Sequence, residues 1–191
     1  SALFDPFQLS TRAVKKGSNY SINGIKASVP LVNSSELFLV AADVEGQGPA
    51  IFIVESSQAG VSVESQNAMG LRPAALGNIT LKNVEVSEEA MLGGNSFDYA
   101  TFISYVRLGW CSLAIGTAKA ILSEVIPYAN DRVAFGEPIS NRQSVAFMIA
   151  NIRIELDTMQ ILTQRAAALA EQGKPFQREA YLAAVACQEG A

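Results

Sequence analysis

The hydrophobic pattern of the chain changes its period once, near the Gly93–Gly94 pair, and that change limits the fold more than any other feature. Before it, short apolar stretches alternate with turn residues: YSINGIKASV, ELFLVAADV, AIFIVES, GVSVES and NITLKNVEV. The Asn23–Gly24 pair, the Gly-rich EGQGP of residues 45–49 and the SQAG before Val61 read as the turns between them. Ile79, Leu81, Val84 and Val86 do not hold one alternation, which predicts a bulge between Leu81 and Val84. Strands at this spacing predict a small barrel or sandwich.

After the glycine pair the period is helical. Phe102, Ile103, Val106, Leu113, Thr117, Ile121 and Val125 recur at threes and fours, and Pro127 is expected to bend or end that helix. A second helix carries Val145, Met148, Ile149, Ile152, Leu156, Met159, Leu162, Ala166 and Leu169 before Gly173 stops it, and a third begins around Pro175. A helix of ~27 residues is ~40 Å long, about the full diameter of a compact chain whose radius of gyration is ~16 Å. Two such rods and a stub cannot cover one another on all sides. Leu108, Trp110 and Cys111 lie off the main stripe, so the first helix has apolar surface for contacts on two sides. The expectation is an α+β chain with a small β-barrel or sandwich domain over residues 1–93. Long antiparallel helices of an incomplete helical bundle then occupy residues 94–191, covered by further sequence, a second subunit or both. An opening without methionine and an ending on YLAAVACQEGA, an apolar helical pattern with little room for a cap, suggest a piece of a longer protein.

Composition narrows the chemistry. With no histidine among 191 residues, Ser-His and Cys-His nucleophile pairs are excluded and zinc sets lose their commonest ligand, so no metal site is expected. SxxK, GxGxxG and P-loop patterns are also absent, which leaves a bound cofactor or carboxylates to carry any hard chemistry. A pI of about 4.9 with only 14 Lys and Arg argues against a nucleic-acid partner. The longest apolar runs fall short of the ~20 residues of a membrane span, and no signal peptide opens the chain, so the default location is cytoplasmic. Cys111 and Cys187 sit in apolar helical patterns and read as buried free thiols. Glu88 with Glu89 and Glu155 with Asp157 read as solvated charge, and Lys26 as a residue that fixes a hairpin.

The connector between the two long helices, DRVAFGEPISNRQ at residues 131–143, is not explained as a plain linker, because Phe135 and Ile139 have no place in one. RVAFGEPISNRQ resembles the RxxFGxPIxxxQ signature of the C-terminal helical domain of acyl-CoA dehydrogenases. The β half agrees with it. SALFDP is similar to the family's ALTEP, YSINGIK to its Tyr-x-x-Asn-Gly-x-Lys, and MGLRPAALGNITLKNVEVSEEAMLG to its GLRGSxTxxLxFxDVxVPxxxxLG. The resemblance runs nearly the whole chain in order. It implies the family's central β domain and the first part of its C-terminal domain, in dimers or tetramers that bind FAD between subunits. The family's reaction is α,β-desaturation of an acyl-CoA thioester: a glutamate takes the α-proton and the flavin accepts hydride from the β-carbon.

The resemblance also implies roles for single residues. Arg132 would reach the FAD pyrophosphate of a neighbouring subunit, Phe135 would pack near its adenine end, and Gln143 would offer a polar contact at the start of the next helix. The bland alternative is a loop whose Phe135 plugs the interhelical core. Arg107 stands where the family carries an arginine at the start of the first long helix, an expected substrate contact, and Val106 stands where a minority carry the catalytic glutamate. No residue here is expected to be the catalytic base. At the flavin-ring end, Ser28, Val29 and Pro30 replace the family's Trp-Ile-Thr, Phe4 replaces a threonine, and Ala74, Ala75 and Leu76 replace hydroxyl-bearing residues. Ser10 or Thr11 could substitute for one lost contact. Three functions follow: an FAD-dependent acyl-CoA dehydrogenase, a non-catalytic subunit of a hetero-oligomeric one, or an acyl-thioester or partner-binding protein without redox activity.

Overall fold

A computed structural model describes residues 5–190, so Phe4 lies outside the described residues. Two compact units divide the chain, one running up to Tyr99 and the other from Ala100.

The first unit is built on six strands: β1 (Arg12–Lys16), β2 (Asn19–Val29), β3 (Leu37–Val44), β4 (Gly48–Glu55), β5 (Val61–Ser65) and β6 (Gly77–Ser87). They lie in the order β4-β3-β1-β2-β6-β5, with β1 and β3 parallel and every other pair antiparallel. On β3 the alternation is clean: Phe38, Val40, Ala42 and Val44 are buried while Leu37 and Leu39 face out. Three strand spacings separate β2 from β4, about 14 Å in a flat sheet. Yet the Tyr20 and Phe52 rings meet at 5.1 Å, so the sheet curls until its inner face closes on itself. The edge strands β4 and β5 do not pair with each other. The expected barrel is therefore corrected to an open, curled sheet around one core.

The bulge falls where the pattern broke. Ile22 opposes Val84 and Gly24 opposes Leu81, so two residues face Asn23 alone. Asn83 is left-handed there at φ 50°, its backbone N–H donates to Asn23 Oδ1 at 2.8 Å, and Asn23 Nδ2 donates to Asn83 Oδ1 at 3.2 Å. Asn23 and Gly24 are thus not the turn that the dipeptide suggests; they lie inside β2. Gly24 is a glycine because Thr11 crosses it, with only 2.8 Å between the Thr11 Cα and the place a Cβ would occupy. Thr11, completely buried against this glycine, has no open side to offer a ligand. Lys26, opposite Ile79 in the same strand, fixes no hairpin; burial pushes its ammonium below the usual lysine value.

In the second unit α1 (Tyr99–Asp131), α2 (Gln143–Glu171) and α3 (Gln177–Gly190) pack together. Pro127 neither ends nor breaks α1, which runs one more turn, close enough to the end that little of the hydrogen-bond ladder is lost. Gly173 does stop α2. At φ 65° its N–H donates to Ala170 O at 3.0 Å while Lys174 N–H donates to Leu169 O at 2.9 Å, the two reversed bonds of a glycine C-cap. The stripe expected at the core of α1 is corrected: Leu108, Cys111, Ile115, Leu122 and Ala129 are buried, whereas Val106, Leu113, Thr117 and Ile121 are exposed with Trp110. By length and composition alone α1 is long and apolar enough to cross a membrane, and one face of it packs against α2 and α3.

Cys111 on α1, Thr163 on α2 and Cys187 on α3 meet in this core, both thiols free. Burial, assisted by the neighbouring Cys187 thiol, pushes Cys111 up to about 11. Only the thiolate alkylates, so a rise from 9.0 to about 11 leaves on the order of a hundredfold fewer thiolates at pH 8. Iodoacetamide at pH 8 is accordingly expected to label Cys111 at least a hundredfold faster in urea than in buffer, read by mass spectrometry. Equal rates would mean that the core is open.

Candidate functional site

The connector from α1 to α2 folds into a hairpin. Arg132 N–H donates to Tyr128 O at 2.9 Å, and Ile139 N–H returns to Arg132 O at 2.9 Å, closing the loop at its base. Above it β7 (Val133–Ala134) pairs with β8 (Glu137–Pro138), leaving Phe135 and Gly136 as a two-residue tip. Both tip residues have positive φ, 57° and 87°, the arrangement that usually selects Asn-Gly. A phenylalanine in the left-handed region costs about 1–2 kcal/mol, and here the cost returns no packing in the core: Phe135 is 93% exposed. That overturns the alternative in which Phe135 plugs the space between helices.

Two arginines flank the tip. Arg132 is exposed and has no ion pair among the described residues. Arg142, half-buried, donates from Nη2 to Ala134 O at 3.2 Å and lays its guanidinium 4.8 Å from the centre of the Phe135 ring. Its Nε is buried without a partner among the described residues. Arg142 occupies the N-cap of α2 with no side-chain cap, and exposed Gln143 is the first helical residue. The helix therefore opens with free N–H groups toward the hairpin side of the chain, a setting that suits an anion.

Sequence reading missed Arg142. Its signal was a cation at a predicted helix start, where a small oxygen-bearing cap is the rule and a positive charge opposes the helix dipole. It also missed Tyr181. The Arg107 guanidinium stacks 5.0 Å from the Tyr181 ring, on α3, so Arg107 is held against the helical bundle. Along α1, Arg107 stands roughly 37 Å from Arg132. The structure brings together Arg132, Phe135 and Gln143 but sets Arg107 apart from them.

Ser28 and Pro30 lie in the β unit. Ser28 is left-handed at φ 55°, and its N–H and Oγ donate at 3.4 Å to Asn78 Oδ1 and Gln66 Oε1, so both donors are already engaged. Pro30 has no N–H to give. Leu31, Leu71 and Ala75 beside them are also left-handed, and Gln66, Asn67, Leu71, Arg72, Ala75 and Leu76 line a cleft of about 350 Å³. The acidic pairs bring no chemistry to either place: Glu88 pairs with Lys15 at 3.0 Å and Asp157 with Arg153 at 3.0 Å, all well exposed. No group of metal-ligating side chains occurs among the described residues.

The family model of the acyl-CoA dehydrogenase middle domain matches residues 1–84, and that of the acyl-CoA dehydrogenase C-terminal domain matches residues 98–191. The chain belongs to the acyl-CoA dehydrogenase family. Over 187 residues it is 34% identical to the mitochondrial short/branched chain specific acyl-CoA dehydrogenase of Rattus norvegicus, covering 94% of this chain and 43% of that protein. Butyryl-CoA dehydrogenase from Megasphaera elsdenii superposes with a TM-score of 0.81 at 28% identity, over 95% of this chain and 50% of that one. An FAD-dependent dehydrogenase superposes with a TM-score of 0.85 at 25% identity, over 96% of this chain and 52% of that one. This acyl-CoA dehydrogenase chain spans about half the length of the relatives it matches.

The FAD that the family implies fits one of the two places and not the other. At the hairpin, an unpaired guanidinium, an exposed ring and an uncapped helix start suit a pyrophosphate and a flat base. At the end of β2, Ser28 already donates through both its N–H and Oγ and Pro30 has no N–H, so these two residues offer a flavin ring no free donor.

Proposed function

We propose that this chain works in an FAD-dependent acyl-CoA dehydrogenase assembly that desaturates an acyl-CoA thioester, and that its hairpin grips the cofactor of a neighbouring subunit. The reading rests on Phe135. An exposed aromatic ring at a strained, glycine-type position is costly alone and makes sense as a surface built to be covered by something flat. Arg132 would meet the pyrophosphate, Gln143 would add a polar contact, and Arg107, roughly 37 Å back along α1, would serve the acyl-CoA. No proton or hydride step is assigned to this chain, since Val106 cannot take a proton and Ser28 and Pro30 offer a flavin ring no free donor.

The engaged donors of Ser28 favour a second reading within the same assembly, a non-catalytic subunit that completes a partner's site. The full-length protein, purified alone, separates the two through its visible spectrum and acyl-CoA-dependent bleaching. Stoichiometric flavin with turnover establishes a competent dehydrogenase and removes the second reading. A colourless protein that gains flavin only with a partner subunit establishes the second. No flavin under either condition overturns both.

A further inference from the structure

We infer that Arg142 is a positioning residue, holding the Phe135 ring in its binding orientation before any ligand arrives. The inference deepens the hairpin reading above and rests on it for the identity of the ligand. An exposed phenylalanine on a two-residue turn would ordinarily sample several rotamers, and each would have to be abandoned on association. Arg142 restricts that sampling from two directions at once. One guanidinium nitrogen fixes the β7 backbone through Ala134 O at 3.2 Å, while the guanidinium carbon sits over the ring, 4.8 Å from its centre. Only arginine combines a planar stacking face with several donors in a fixed fork.

The cost of this arrangement speaks against a merely structural purpose. Nε is buried with no acceptor among the described residues, and the charge sits at the N-terminus of α2, where the helix dipole opposes it. A serine or aspartate at the same position would cap α2 and remove both penalties. Of its two contacts with the hairpin, the bond to Ala134 O needs only a donor, so the one that singles out arginine is the Phe135 ring.

The test uses the full-length protein carrying 4-fluorophenylalanine at Phe135, followed by fluorine NMR without ligand and by FAD titration. In the unsubstituted background a single resonance displaced from that of a free side chain is expected. R142Q should return it toward the free value and weaken FAD binding about 5–10-fold, the loss expected when one stacked ring is no longer pre-set. R142K keeps the charge without the planar face and should behave like R142Q. R132Q should weaken FAD binding while leaving the resonance in place. An unchanged resonance in R142Q, or full rescue by R142K, overturns the inference. If R142Q does not fold, R142K alone decides through the same resonance. Should R132Q and F135A leave FAD binding intact while R142Q still moves the resonance, the ligand is wrong and the positioning role stands.

Discussion

Replacing Phe52 by alanine is expected to cost the β unit about 3–5 kcal/mol, the range for emptying a large aromatic site in a packed core. Phe52 is completely buried and carries the contact with Tyr20 that brings β4 over β2, so its loss removes the join of the curl as well as apolar area. Met91 is bridged to residue 52 through the backbone from beyond β6, a link that does not depend on the Phe52 side chain. Urea denaturation followed by far-UV circular dichroism, with hydrogen exchange of the β3 and β4 amides, measures the effect. A loss below about 1 kcal/mol would mean that the sheet closes through other contacts.

At the hairpin tip the expected result has two opposite signs. Asparagine tolerates the left-handed conformation that Phe135 adopts at φ 57°, and Asn-Gly is the favoured pair for such a turn. F135N should therefore raise stability by about 0.5–1 kcal/mol while lowering flavin retention on the order of tenfold. Thermal unfolding reads the first effect, and flavin absorbance after gel filtration reads the second. Loss of both would show that the ring stabilises the hairpin itself, and loss of neither would leave it without a role.

The opposite signs mark what the amino-acid pattern could and could not convey. The connector drew notice through the family resemblance carried by Arg132, Phe135, Gly136 and Gln143, yet its strained tip and the Arg142 support are matters of backbone angle and side-chain contact. Asn23 and Gly24 have the composition of a turn but serve a bulge and a close crossing by Thr11, because a dipeptide reports allowed angles and not the strand that passes over it. ELFLVAADV was read correctly as a strand, but not for its faces, since Leu37 and Leu39 outside are as apolar as Phe38 and Val40 inside. On α1 the periodicity chose the wrong face. Leu113 and Ile121 are as apolar as Leu108 and Ile115, and periodicity cannot rank two apolar faces when their partners come from distant sequence.

The unbroken length of α1 has a mechanical meaning. Since Pro127 does not interrupt it, Arg107, about two turns into α1, and the Phe135 hairpin beyond its end belong to one rod, with roughly 37 Å between Arg107 and that end. A tilt of only ~5° about Arg107 would sweep that far end through ~3 Å, enough to part a stacked ring from its partner. Angular stiffness in this lever would set how faithfully a movement at Arg107 reaches the Phe135 hairpin.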